Sequence, residues 1–305
     1  MPTTVWNRFF LGMALITSLA LLIWITSSRA VAQDTFSGVW TATVDKDNSK
    51  IHLNLERKSS KHGRNQMGQS FEFSDLQGLS REQALNGGPV NFSLVREAGR
   101  VEMEGSFQNG RGSGTFRFIG NQSFISAMKS RGFDFESNPD DEDRDTESRL
   151  FAATTLNVTT ALADDLNSAG FGKLQVEDLF KAAIFKINSQ FMREMKASGF
   201  PNLGMEELVK ARIFKIDAEF VRQVSQMGFD KEPFESLVKM QIFKVTPEFV
   251  TEMRNEGLTN VEIEDLVKLR IFKIDTDFIR AAKADGVPME VERLVQRKIG
   301  VARRY

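Results

Sequence analysis

A pentapeptide recurs through the carboxyl half of the chain at one fixed step, from 184 to 213 to 242 to 271: Ile184-Phe185-Lys186-Ile187-Asn188, Ile213-Phe214-Lys215-Ile216-Asp217, Ile242-Phe243-Lys244-Val245-Thr246 and Ile271-Phe272-Lys273-Ile274-Asp275. One step earlier, Thr155 to Thr159 fits the same frame. Arg117 to Asn121 opens a further copy, lengthened by an insertion over 134–149. Six copies therefore occupy 117–305. A period of this size means a stacked array whose units lean on one another.

Each copy encodes two short helices. Thr159, Asn188, Asp217, Thr246 and Asp275 are followed at a constant spacing by Gly170, Gly199, Gly228, Gly257 and Gly286. An oxygen-bearing N-cap and a C-terminal glycine thus bracket the first helix. Inside it, the column Phe191, Phe220, Phe249 and Phe278 makes an apolar face with Met192, Val221, Val250 and Ile279. The second helix carries Leu208-Val209 or its counterparts and runs into the next Ile-Phe. A lone copy leaves both flanks wet, so stacking is expected to bury the columns Ile184, Ile213, Ile242, Ile271 and Phe191, Phe220, Phe249, Phe278 between neighbours. The expected product is a short α-solenoid.

Ahead of the array the period drops to two. Ile51, Leu53 and Leu55 alternate with polar residues, as do Val90, Phe92 and Leu94, and Val101 and Met103. Asn109-Gly110 is the strongest hairpin signal. About six antiparallel strands are expected within 33–116, with a turn or short helix near 74–88, as a small sandwich or partly closed barrel. The fold class is α+β in two segregated parts.

Residues 1–32 read as an export signal. Arg8 precedes the apolar run Phe9 to Ile25, and Ala30-Val31-Ala32 forms the exit. The run from Phe9 to Ile25 is near the short limit for a bilayer span. A cleaved leader and an uncleaved anchor over 9–25 both stay open, and membrane contact follows only from the second. Export without a single Cys points to a bacterial periplasm or cell envelope.

Composition excludes several chemistries. There is no thiol nucleophile, disulfide framework or Cys-based metal site, and only His52 and His62 are available to a triad or zinc cage. Forty Lys+Arg against 41 Asp+Glu is not the basic excess of a nucleic-acid binder. No cofactor or metal site is expected. His52 falls on a polar strand face. The insertion carries Asp141, Asp143 and Asp145, but Thr146 and Ala152 stand where a calcium loop needs its glycine and its bidentate glutamate. The buried-type columns explain the methionines as packing. The basic loop 57–64 and the basic carboxyl end read as solvated segments.

Lys186, Lys215, Lys244 and Lys273 form one cationic column, and Lys181, Lys210, Lys239 and Lys268 another. The second lies four residues after Glu177, Glu206, Glu235 and Glu264, the favourable order for ion pairs within a helix. The first is the candidate partner surface.

The repeat frame resembles helical repeats in exported bacterial proteins of unassigned activity, and is similar to the extension fused behind antibiotic-sensor-type membrane metallopeptidases. There His-Gly is more frequent where this chain has Phe214-Lys215, and Thr246-Pro247-Glu248-Phe249 matches the frame. The stretches GVWTATV, SFEFSDLQGL and GSFQNGRGSGTFRF resemble the module that precedes such repeats. The resemblance covers about 36–299 and implies architecture. The H-E-x-x-H of the peptidase is absent, so its activity is not implied.

The sequence thus points to an exported, non-catalytic interaction or sensing module that offers a helical-repeat groove to a protein or peptide of the cell envelope, with no nucleic-acid partner. The alternative is a small-ligand-binding β-barrel with the helices as an oligomerising arm. A hydrolase using Glu102 and Glu104 is the third reading.

Overall fold

The computed structural model describes residues 35–47, 49–59, 63–136, 145–170 and 172–300, which belong to one compact unit. Residues 1–34, where the export signal is expected, His62, the centre of the acidic insertion with Asp141 and Asp143, and residues 301–305 lie outside them.

Among the described residues seven strands come first: β1 Thr35–Val44, β2 Lys50–Ser59, β3 Gly63–Glu72, β4 Leu76–Gln77, β5 Gly88–Arg96, β6 Gly99–Gln108 and β7 Arg111–Gly120. They form one antiparallel sheet in the order β3-β2-β1-β7-β6-β5-β4. The architecture is therefore a curled half-barrel and not two packed sheets. A 3₁₀ turn at Phe73–Asp75 and helix α1, Arg81–Asn86, link β3 to β5 around the short β4. Ser80 caps α1 in a reciprocal box with Gln83. Asn109 and Gly110 close the β6–β7 hairpin at φ 50° and 75°, the left-handed pair that a tight hairpin turn demands.

Alternation sends Trp40, Leu53, Phe92, Met103, Phe116 and Phe118 to the inner face, all at most 5% exposed. Two glycines meet there. Gly105 of β6 pairs with Gly114 of β7, which pairs in turn with Trp40 of β1. The indole covers this bare stretch and donates from Nε1 to the carbonyl of Glu104 at 3.1 Å.

Twelve helices follow among the described residues, in six consecutive pairs: α2 Gln122–Lys129 and α3 Thr146–Leu156; α4 Thr160–Ser168 and α5 Val176–Phe185; α6 Ser189–Ala197 and α7 Met205–Ile213; α8 Ala218–Gln226 and α9 Phe234–Ile242; α10 Pro247–Asn255 and α11 Ile263–Ile271; α12 Thr276–Ala284 and α13 Val291–Lys298. The sheet and the first pair are not separable. Strand β7 runs past residue 117 to Gly120, so residues 117–120 serve both the sheet and the first copy. Helix α3 then packs on β5, β6 and β7 and closes the open side of the half-barrel. Its Phe151 stacks on Phe116 at 5.8 Å and meets Phe36 and Phe118 edge-on at 5.0 and 5.3 Å. Glu97, in the β5–β6 turn, accepts from the backbone N–H and the hydroxyl of Thr160 at the start of α4. One continuous apolar core runs from β1 to α13.

Burial along the array corrects one expectation. Ile184, Ile213, Ile242 and Ile271 are not buried between neighbours; they are 53, 53, 48 and 50% exposed. Five positions after Leu208, Ile213 projects about 140° away from it around the helix. It also ends the helix, so no following turn covers it. The buried residue of each turn is instead the one after the lysine: Ile187, Ile216, Val245 and Ile274, at 0–2%. The phenylalanine column divides. Phe191 and Phe249 are buried, while Phe220 and Phe278 are only partly so.

Candidate interaction surface

The turn between the two-helix units sets the geometry of the surface. At the end of α5, α7, α9 and α11 the chain passes through Lys186, Lys215, Lys244 and Lys273 at φ 53°, 55°, 54° and 51°. The next N–H donates back across the turn: Ile187 to Ala182, Ile216 to Ala211, Val245 to Met240 and Ile274 to Leu269. This is a six-to-one closure, with an apolar side chain packed under the turn. Gly takes the left-handed position at less cost than Lys because it has no β-carbon to crowd the carbonyl, and Asn because its short polar side chain can hydrogen-bond locally. Asn157 does so in an earlier copy, at φ 55°. A cation at the carboxyl end of a helix recovers part of the cost through the macrodipole.

The following helix starts just beyond. Asn188, Asp217, Thr246 and Asp275 each accept from the backbone N–H three positions on, at 2.9, 2.9, 3.3 and 2.9 Å. Gly199, Gly228, Gly257 and Gly286 end these helices at φ 100°, 89°, 101° and 75°. Lysine, isoleucine and cap are thereby held on rigid helix ends, once per copy.

The two lysine columns part company. Lys181, Lys210, Lys239 and Lys268 are all paired, but not mainly along their own helices. Each reaches the glutamate of the next copy: Lys181 to Glu206, Lys210 to Glu235 at 2.6 Å, Lys239 to Glu264 at 2.5 Å, and Lys268 to Glu292. The pairs form a ladder that ties successive second helices together. The hydrogen bond to glutamate raises the Lys181, Lys210 and Lys268 ammonium groups above the usual lysine range. Lys186, Lys215, Lys244 and Lys273 are exposed and have no ion-pair partner among the described residues.

A third column was not evident from the sequence. Arg212 lies 3.7 Å over the ring of Phe191 and donates to the carbonyl of Lys186 at 2.9 Å. Arg270 lies 3.7 Å over Phe249, and Lys298 lies 4.5 Å over Phe278. Gln241 takes the same place in the copy between and reaches the carbonyl of Lys215 at 3.4 Å. This accounts for the fuller burial of Phe191 and Phe249 than of Phe220. The signal was one shared separation in the sequence, from Phe191 to Arg212 and from Phe249 to Arg270.

Among the described residues seven large hydrophobic side chains are exposed, and five are the isoleucines of this row: Ile184, Ile213, Ile242, Ile271 and Ile299. Single exposed hydrophobics are ordinary; these five recur once per copy, and four of them stand two positions before a lysine that has no ion-pair partner among the described residues.

Other candidate residues fall elsewhere. His52 is exposed and 3.3 Å from the Ser70 hydroxyl. Arg57 lies over the Phe36 ring at 4.1 Å and faces Glu147 at 3.6 Å, so it fastens α3 to the sheet. Glu102 is bridged by Arg117 and Arg100, and the Arg117 hydrogen bond holds its carboxyl below the usual range, the reverse of what a general acid needs. No group of three or more metal-ligating side chains, and no helix long and apolar enough to cross a membrane, occurs among the described residues. In comparisons with protein-family models, curated proteins and solved structures, nothing matches this chain.

Proposed function

We propose that the chain is an exported, non-catalytic interaction or sensing module whose helical-repeat array receives a protein or peptide partner in the bacterial cell envelope. One observation carries this reading. In four successive copies a half-exposed isoleucine is followed, two positions on, by a lysine that is held in a left-handed turn and has no ion-pair partner among the described residues. Adjacent helix axes lie about 8–10 Å apart, and three residues of extended chain cover about 10 Å. The fitting partner is an extended segment with an apolar and an acidic residue in each group of three. Export rests on the leader-like residues 1–32.

The ligand-carrier alternative gains nothing from the half-barrel, whose inner face is filled by Trp40, Phe92, Phe107 and the inserted Phe151.

Binding partners captured from the cell envelope by the full chain and by its Ile213→Ser/Ile242→Ser variant test the reading. The expected outcome is a partner that the variant loses and that a Val39→Ser/Val95→Ser control retains. Equal capture by all three contradicts it.

A further inference from the structure

One copy of the array departs from its neighbours. Between the ends of α6 and α8 lies a cavity of about 370 Å³, floored by Phe200, Val224 and Phe229 and rimmed by Ser225, Asp230 and Glu232. The equivalent space one copy further on is filled. There Arg254 donates to the carbonyl of Met227 at 2.7 Å, lies 5.5 Å over the ring of Phe229, and brings its Nη2 within 3.6 Å of a β-carbon built on Gly228.

One copy earlier, Ser225, Ser198, Phe200 and Gly199 occupy the positions of Arg254, Met227, Phe229 and Gly228. Ser225 is too short to reach, and a β-carbon on Gly199 meets nothing within 4 Å. A second substitution widens the gap. Leu203 and Val261, 8 and 9% exposed, plug the loop in the copies on either side, and Glu232 replaces them here. Neither Asp230 nor Glu232 has an ion-pair or hydrogen-bond partner among the described residues. Lys231, at φ 61°, is the one cation of the rim among the described residues.

We infer that this cavity is a binding site for a guanidinium group, the arginine side chain of a partner peptide, which stacks on Phe200, donates to the Ser198 carbonyl and is neutralised by Glu232. The array itself shows the fit, since Arg254 satisfies the corresponding ring and carbonyl. A planar guanidinium does both at once, whereas an ammonium serves as a point charge. The site is separate from the isoleucine row and does not depend on it.

Titration of the full chain, with methyl-labelled valine and leucine, by N-acetyl-arginine-N-methylamide tests the inference. Shifts at Val221, Val224 and Leu237 that saturate in the millimolar range are expected. The uncharged citrulline analogue should bind at least tenfold more weakly, and Glu232→Gln should weaken the arginine probe about fivefold or more. Ser225→Arg should pre-fill the cavity and abolish binding. Should that variant fold poorly, Glu232→Leu, which restores the plug of Leu203, must do the same. Free arginine, whose carboxylate faces Asp230 and Glu232, should bind more weakly than the blocked form; tighter binding would make a free amino acid the ligand and overturn the peptide source. Equal response to citrulline, or undiminished binding by Ser225→Arg, overturns the site. The Ile213→Ser/Ile242→Ser variant should bind the probe normally, which keeps failure here distinct from failure of the isoleucine surface.

Discussion

The indole of Trp40 lies so close to Gly105 that a β-carbon built on the glycine would sit 2.7 Å from Cζ2 and 2.2 Å from the Ser113 carbonyl oxygen. The ring substitutes for the side chains that Gly105 and Gly114 lack, and its N–H engages the Glu104 carbonyl. Gly105→Ala therefore forces both a backbone and an aromatic displacement. We expect a loss of about 3 kcal/mol or more in urea unfolding. Gly88→Ala is no fair control, because Gly88 has φ 116°; Ser106→Ala, on the exposed face, is, and should change stability by less than about 0.5 kcal/mol.

The inner face of the sheet is completed by α3. A chain ending at residue 120 leaves Phe36, Phe116 and Phe118 without Phe151. It should bind a hydrophobic dye and unfold without a cooperative transition. A chain ending at residue 199 keeps α3 and should unfold cooperatively. A sharp transition in the shorter chain would show that the sheet folds without its helical cover.

The left-handed lysines set stability against binding. Lys215→Gly and Lys244→Gly each relieve a crowded β-carbon and should raise stability by about 0.5–1 kcal/mol, even after glycine's greater unfolded-state freedom. Both should weaken partner capture. Higher stability with unchanged capture would reduce these lysines to helix caps.

Stability should fall at both ends of the pH range, for opposite reasons. Asp165 accepts from the hydroxyl and N–H of Ser189 at 2.6 and 2.7 Å, and these bonds lower its carboxyl below the usual range. A depressed acid contributes above its unfolded value, near 4, and the contribution is lost as pH falls through the folded one. Lys181, Lys210 and Lys268 are raised. Their contribution is complete below about 10.4 and is lost as pH rises further. Asp165→Asn should flatten the acid limb, and molar salt should flatten the alkaline one. An acid limb unchanged in Asp165→Asn would assign it to other carboxylates.

The period, the caps and the strand alternation were legible because each is a local rule: an oxygen before a helix, a glycine after it, every second residue apolar. Features that depend on how the copies stack escaped. Ile213 looks like a core residue in the one-dimensional frame, and only its place at the last turn of α7 exposes it. The Glu and Lys columns fit pairing within a helix and between copies equally well; stacking of the second helices decided for Glu235 with Lys210 over Glu206 with Lys210. Residues 117–120 obey the period of two and the repeat frame together, which is why β7 and the first copy share them. The cavity beside Ser225 and Glu232 emerges only when one copy is laid on the next.

The most direct measurement is photo-crosslinking in the living cell from single positions of the full chain. A photoreactive residue at Ile213, Ile242 or Ile271 should capture one common partner, and the same residue at Ser106, exposed on β6, should capture none. Capture from Ser106 equal to that from the isoleucines, or no capture from any of the three, would contradict the account.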